Sequence, residues 1–473
     1  MVVTGMQTAH EFIARQEPLV EDVERQIAER DIRIVIGAAA DLNGIFRGKR
    51  IPAQRFTEHP MEPIHVSDYF WVMDTEEEVI PAEPGYKGWW PSWEAGFGDI
   101  APIPDLSTFR LVPWLEHTAA VLCEHFFLDG TPIEIAPRYV LRRLADRAAA
   151  QDLVPKFGAE LEFFLFRESE TSLEEKGYRS AALQPLNLRL GAYGIYRGST
   201  DEHIIRPLAD HLEAFGIPVA YWNPEGGAGQ YEVNMVYGDL LESADRAFLY
   251  KHAVKEIAAQ QGLMATFIAK TLPGFGSSCH LHQSVWSPQG KNLFWDEDAD
   301  HNASELMQCY LGGLTATMRE MTLLFAPTIN SYKRLMADSA AGTTATWGYE
   351  NRTCGARVIH EPEHACRIEQ RVPGGDVNPY LAMAGCIAGG LYGIENKINA
   401  PAPTAGSAYT DPSAPKLPTS LEEAVEAFEG SEVAREYLGA EFVKFYAATR
   451  RWELEQFRTG VTDWEIRRYL QFL

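Results

Sequence analysis

Residues 156–166 read Lys-Phe-Gly-Ala-Glu-Leu-Glu-Phe-Phe-Leu-Phe, an apolar run into which two acids, Glu160 and Glu162, are set. Its length and aromatic content are those of a buried strand. Alternate side chains of a strand share a face, so both carboxylates project the same way, roughly 7 Å apart, beside Phe164 and Phe166. Two like charges against an apolar wall are costly unless something neutralises them. One or two divalent cations would do so, because hard metals take carboxylate oxygens. An edge strand with a solvated polar face is the plain alternative. The choice depends on what the rest of the chain brings to that face.

At 473 residues the chain can bury a large core. Its 66 acidic and 42 basic side chains leave a net charge of -24, which repels nucleic acid and anionic membrane and argues against either as a partner. Any anionic substrate then needs a local basic pocket. The six cysteines form no CxxC pair and no compact framework, no basic-then-apolar leader opens the chain, and no apolar stretch approaches the roughly 18 residues of a membrane span. A soluble, cytoplasmic protein is expected.

Charge alternation and apolar spacing predict a first helix over residues 11–30, then a strand at Ile32-Arg33-Ile34-Val35-Ile36 and a turn at Asp41-Leu42-Asn43-Gly44 leading into a hairpin. A strand-rich N-terminal domain is expected over residues 1–130 and a larger catalytic domain over 131–473. Residues 81–104 form a Gly- and Pro-rich loop holding Trp89, Trp90 and Trp93. Further helices are predicted from Pro137, over 239–261, over 304–324, and over 379–397, where Asn378 and Pro379 make a start signal. Ser420-Leu421-Glu422-Glu423 reads as a capping box after a Pro-rich connector at 400–418. Strands and helices mix without a regular βαβ period, so the fold class is α+β. No P-loop is present, so a bound ATP needs another cradle.

Three further clusters carry chemistry. In Asn223-Pro224-Glu225-Gly226-Gly227-Ala228-Gly229-Gln230-Tyr231-Glu232, a glycine-rich loop lets Glu225 and Glu232 converge, or leaves them as two exposed acids of a hairpin. In Cys279-His280-Leu281-His282-Gln283-Ser284, His280, His282 and Ser284 alternate onto one strand face, as a metal or phosphate site or as satisfied core side chains. Arg334, Arg352, Arg357, Arg367 and Arg371 surround Glu369 in sequence, suited to polyphosphate and carboxylate recognition or to surface ion pairs.

Taken in order, these stretches resemble the glutamine synthetase superfamily, with Asn330-Ser331-Tyr332-Lys333-Arg334-Leu335, Asn351-Arg352-Thr353, Arg367-Ile368-Glu369-Gln370-Arg371 and Asn378-Pro379-Tyr380 completing the likeness. The resemblance implies an N-terminal β-grasp-like domain followed by a glutamine synthetase-type catalytic domain with a curved antiparallel sheet flanked by helices. It implies two or more Mg²⁺ or Mn²⁺ ions, one held by Glu162, Glu225 and Glu232 and another by Glu160, His280 and Glu369, with ATP as co-substrate. By the same likeness Gly276, Arg334 and Arg371 bind glutamate. Arg352, Arg357 and Arg367 face the nucleotide phosphates, Arg352 with a catalytic part, and Tyr237, His282 and Ser284 lie on the nucleotide side. A homo-oligomer is implied, a dodecamer of two stacked hexamers with active sites between subunits.

The pattern departs from ammonia-using members at the acceptor. Those carry a glutamate six residues after the arginine matching Arg334, a flap acid that closes the ammonium site; here that position is Ala340. The aspartate that helps bind ammonium has its best match in Asp74, within Val72-Met73-Asp74-Thr75-Glu76, but without the following Gly-Ser-Ser. Trp89, Trp90 and Trp93 could line a pocket for an apolar or alkylammonium amine, together with Ala340, or could join subunits. The character is that of γ-glutamyl amide ligases acting on polyamines, alkylamines or anilines. The expected function is ATP-dependent ligation of the glutamate γ-carboxylate to an amine other than ammonia, through a γ-glutamyl phosphate. The alternatives are a glutamine synthetase with a rearranged flap and a catalytically silent structural member of the fold.

Overall fold

The computed structural model describes residues 8–189, 191–337, 339–471 and 473. Two sheets organise them. The first is mixed and six-stranded, in the order Phe46–Pro52, Ile34–Ala40, Thr118–Phe126, Asp99–Pro104, Val66–Ser67, with Arg110–Leu111 paired to Thr118–Phe126. Ile34–Ala40 runs parallel to Thr118–Phe126 and antiparallel to Phe46–Pro52. The predicted hairpin turn is there, with Asp41 Oδ1 accepting from the backbone N–H of Asn43 and Ile45 at 2.8 Å each.

The second sheet has nine strands. Its main path is Trp347–Tyr349, Ala356–Ile359, Arg367–Gln370, Cys279–Trp286, Val154–Phe166, Gln230–Met235, Val219–Pro224. Two short strands, Gly238–Asp239 and Met264–Thr266, also pair with Val154–Phe166, which is therefore the spine of the sheet. Leu161, Phe163 and Leu165 point into the core and are fully buried, while Glu160 and Glu162 take the opposite face. The alternation read from sequence thus decides which face carries charge.

Helices cover the apolar face. Leu240–Gln260 and Pro379–Glu395 are buried along most of their length. The second begins as its sequence signal predicts, with Asn378 Oδ1 accepting from Tyr380 N at 3.1 Å. It packs backbone to backbone on Glu305–Thr317, where a Cβ on Gly313 would meet Gly389 O at 2.2 Å; only glycine permits that approach. Arg138 ties the two sheets together, donating to both carboxylate oxygens of Asp245 at 2.8 Å and pairing with Glu124 and Asp105.

Several boundaries differ from the sequence reading. The helix expected over 11–30 is two, Ala9–Gln16 and Val20–Glu29, because Pro18 breaks the hydrogen-bond ladder into a 3₁₀ turn. The helix expected over 304–324 stops at Thr317, and Thr322–Phe325 forms a separate turn. At Ser420 half of the capping box forms: its hydroxyl accepts from Glu423 N, but the Glu423 carboxylate turns to Thr419 N at 2.8 Å. Among the described residues no helix is long and apolar enough to cross a membrane.

Candidate active site

Cross-strand register gathers the sequence-predicted acids on one sheet face. Glu162 lies opposite Glu232, and Glu160 lies opposite His280 on its other neighbour. One row further, Glu369 stands between His282 and Arg357. The ligand atoms of Glu160, His280 and Glu369 lie within 4.8 Å of one another, the sole such trio of His, Cys, Asp or Glu among the described residues. His280 Nδ1 is 2.7 Å from Glu160 Oε1 and 3.5 Å from Glu369 Oε1, and His280 Nε2 is buried without a partner. Carboxylate oxygens and an imidazole at this spacing fit a divalent cation.

The two halves of the face differ electrically. On the Glu369 side the acids are matched by cations. Arg357 Nη1 donates to Glu369 Oε2 at 2.9 Å, and Arg371 pairs with Glu369 Oε1. Burial alone would raise the Glu369 carboxyl, but His282, His280 and Arg371 outweigh it and bring it to about 2. Burial likewise opposes ionisation of Glu160, and hydrogen bonds from His280 and His282 hold it well below the usual carboxylate range. Burial and Arg371 lower His280, against the pull of Glu160 and Glu369.

On the other half, among the described residues, no basic side chain forms an ion pair with the acids, and Arg334 acts on Glu162 only at longer range. Glu162 is pushed up to about 7 by burial, against a hydrogen bond from Ser278 and with Glu225 adding repulsion. Glu232 is pushed up to about 9 by burial and by Glu160. Glu225 is raised by burial, although Asn223 Nδ2 and Gly226 N donate to it at 3.0 and 3.1 Å. Three carboxylates without an ion pair are the environment a bound cation would relieve.

The glutamate-side candidates stand beside these acids. Arg334 is buried, donating from Nη1 to Val372 O at 2.8 Å, and Arg371 Nη2 donates to Ala340 O at 3.1 Å. Gly276 packs on Arg334; a Cβ there would lie 2.5 Å from Ala269 O and 3.0 Å from Arg334 Cγ. Arg352 is exposed and makes no ion pair among the described residues. Tyr237, His282, Ser284 and Arg367 line one cavity of about 340 Å³. Arg367 Nε is bonded to His282 Nδ1 at 3.1 Å.

Of the acceptor-side candidates, Ala340 reaches this face through Arg371, whereas Asp74 and the three tryptophans make no contact with it among the described residues. Asp74 Oδ1 accepts from Glu76 N and Glu78 N at 2.9 Å and Oδ2 from Trp452 Nε1 at 3.3 Å, and no bond joins it to the acidic face. Trp90 is buried, donating to Ile80 O and stacked on Phe445, and Trp89 packs against Phe127 and Phe445. Trp93 is 74% exposed.

Four residues at the site carry no role in the sequence reading. Gln230 donates from Nε2 to both Glu162 Oε2 and Gly276 O at 2.9 Å, locking the acid to the glycine backbone. Tyr193, whose backbone N–H donates to Pro224 O at 3.0 Å, has its hydroxyl raised by burial and by the charges of Glu225, Glu232 and Glu160. Phe275, 45% exposed, lies against Gly226. Trp286 stacks with Tyr237 at 6.4 Å between ring centroids. The placing of Gln230 inside a matched motif was a usable signal, as was that of Trp286, which continues the alternation of His280, His282 and Ser284; Tyr193 and Phe275 sit outside any local pattern.

A family profile described as "Glutamine synthetase, catalytic domain" matches residues 134–469. A glutamate–isopropylamine ligase from Pseudomonas sp is 37% identical over 451 residues, 94% of this chain and 97% of its own. A γ-glutamylethanolamide synthetase, GlnA4, from Streptomyces coelicolor is 37% identical over 466 residues, 98% of each chain. Among solved structures, "Apo GmaS without ligand" superposes with a TM-score of 0.81 at 29% identity, covering 95% of this chain and 99% of that one. With both the profile and full-length relatives in agreement with the geometry of the sheet, the chain belongs to the glutamine synthetase family.

Proposed function

We propose that this protein is an ATP-dependent glutamate–amine ligase that joins the γ-carboxylate of glutamate to an amine other than ammonia. The observation that carries the reading is the division of one sheet face into an arginine-matched half and an unmatched acidic half, meeting at Glu160 and Glu162. Relatives named for isopropylamine and ethanolamine support the choice of acceptor.

In this reading Glu160, His280 and Glu369 hold one Mg²⁺ or Mn²⁺ and Glu162, Glu225 and Glu232 another; bound there, the ions supply charge neutralisation for phosphoryl transfer. Arg334, Arg371 and the Gly276 backbone hold glutamate with its γ-carboxylate toward the seam between the halves. Tyr237, His282, Ser284 and Arg367 hold ATP in their cavity, and Arg352 and Arg357 clamp the phosphates. The γ-carboxylate oxygen attacks the terminal phosphorus, the bond to the bridging oxygen breaks, and ADP leaves. A neutral amine then attacks the γ-glutamyl carbonyl carbon, phosphate departs with the bonding pair, and the amine's extra proton passes to a nearby carboxylate. Ala340, in place of a flap acid, leaves room for a substituted amine.

Asp74 and the tryptophan segment would serve a neighbouring subunit's site, in a dodecamer of two stacked hexamers. Six buried, unpaired cysteines support a cytoplasmic setting. The test is phosphate release from ATP with Mg²⁺ and glutamate across ammonia, methylamine, isopropylamine, ethanolamine, putrescine and aniline. A substituted amine should be the best acceptor. Ammonia as best acceptor would overturn the amine reading, and no stimulation by any amine would favour a silent structural member.

A further inference from the structure

A second and larger cavity, about 710 Å³, opens on the far side of the segment that bears Arg334. Its walls come from the hairpin turn of the first sheet, the buried helix Leu240–Gln260, the turn at residues 327–333 and the helix Ala440–Thr459. Four cations line it: Lys251 and Arg450, 8% and 5% exposed, and Lys255 and Lys333, which are exposed. None of the four makes an ion pair among the described residues. Lys251 Nζ donates to Val377 O at 2.6 Å, and Arg450 Nη2 to Asn43 Oδ1 at 2.7 Å, so both are held by neutral oxygens.

The lining also includes two acids, Asp376 and Glu453. The Asp376 carboxylate is engaged through Oδ2 with the hydroxyls of Thr328 and Ser331, at 2.9 and 2.6 Å. Four cations therefore exceed two carboxylates, in a chain whose acids outnumber its bases by 24. A buried ammonium without a counter-charge is costly. Burial accordingly lowers Lys251 to about 8, with Lys255 adding repulsion. Lys251 and Lys255 are one helical turn apart on the same face, and Lys333 joins the lining from the turn at residues 327–333.

We infer that this cavity is a binding site for a small organic anion carrying two or more negative charges, with phosphate or paired carboxylate groups between Lys251, Lys255 and Lys333. Compact oxyanions suit lysine, whose ammonium is a point charge with three donors. The volume admits an organic body against Phe46, Phe267 and Tyr446. Asp376 connects the cavity to the turn that leads into Arg334, and the lining shares no residue with the acidic face.

The test uses the full-length protein, freed of metal, titrated calorimetrically with pyrophosphate and with citrate at matched ionic strength. Two binding events are expected, one weakened by Arg352→Gln and the other weakened at least about tenfold by Lys255→Gln with Lys333→Gln. The lysines are exposed, so the double variant should fold, and its melting temperature checks this. Tighter binding of pyrophosphate would mark the site as one for phosphate esters, and tighter binding of citrate as one for polycarboxylates. An unchanged titration in the lysine variant, or the loss of all binding in Arg352→Gln, would overturn the inference.

Discussion

Glu162 and Glu232 lie directly opposite one another on adjacent antiparallel strands, and no basic side chain pairs with either among the described residues. Burial and mutual repulsion of the acids raise Glu162 to about 7 and Glu232 to about 9. Both values exceed that of a glutamate in the unfolded chain, about 4.3. The folded protein then holds extra protons, so this part of its stability is complete at low pH and lost as pH rises through 7 and 9. The metal-free protein should melt at progressively lower temperature between pH 6 and pH 9, and Mg²⁺ should reverse the trend. Because the acids must ionise to bind, Mg²⁺ uptake at pH 7 should release about one proton or more. Calorimetry in buffers of different ionisation enthalpy reads this directly; an enthalpy independent of buffer would remove the metal from this half of the site.

Glu369 sits between two guanidinium groups at 1% exposure. Its carboxyl is depressed to about 2, so its contribution to stability is full above about 4.3 and fades as pH falls towards 2. Removing the charge leaves the buried Arg371 without its counter-ion and Arg357 with Glu350 alone. Glu369→Gln should cost about 3–5 kcal/mol of stability and lower turnover by at least about a hundredfold. Thermal melting beside steady-state turnover separates the two effects, because a fold that survives at assay temperature with normal turnover would refute the assignment.

The strand bearing Glu160 and Glu162 was legible because alternation alone fixes which side chains share a face. Partnership across strands was not. Glu232 is 70 residues from Glu162 and Glu369 is 89 from His280, so only the order and register of the sheet bring them together. The resemblance to a family supplied that pairing in place of physics. Tyr193 and Phe275 escaped notice for a related reason: each stands in a loop, where no periodicity marks the side chain that will stand near a site. Trp90 is the converse case. Set in a Gly- and Pro-rich loop, it is expected to line an amine pocket or join subunits, yet its ring is buried on Phe445, a residue 355 positions away.

Tyr237 and Trp286 stack at 20° between ring planes, with Lys156 Nζ 5.2 Å from the indole centroid, along the wall of the 340 Å³ cavity. The pair offers a flat, partly exposed surface of the kind on which a purine settles. Tyr237→Ala should raise the KM for ATP about 3- to 10-fold, the worth of one aromatic contact, with the KM for glutamate unchanged. Initial rates at varied ATP and at varied glutamate check this. Equal effects on both substrates would mean that the ring supports the sheet and not the nucleotide.

Ala340 adopts the left-handed conformation, φ 60°, and its carbonyl accepts from Arg371 Nη2 at 3.1 Å. The backbone at this position is therefore held by the same arginine that pairs with Glu369. Any side chain with a Cβ bears the same conformational cost as alanine, so Ala340→Glu adds a carboxylate without adding backbone strain. A carboxylate there would stabilise ammonium before it loses its proton and would fill space that a substituted amine needs. The ratio of kcat/KM for ammonia over isopropylamine should rise by about tenfold or more. Ala340→Gly, which relieves the conformation without adding charge, should leave the ratio where it is. If the glutamate variant leaves the ratio unchanged as well, the acceptor is selected elsewhere, and the exposed rings of Phe275 and Tyr193 become the next positions to substitute.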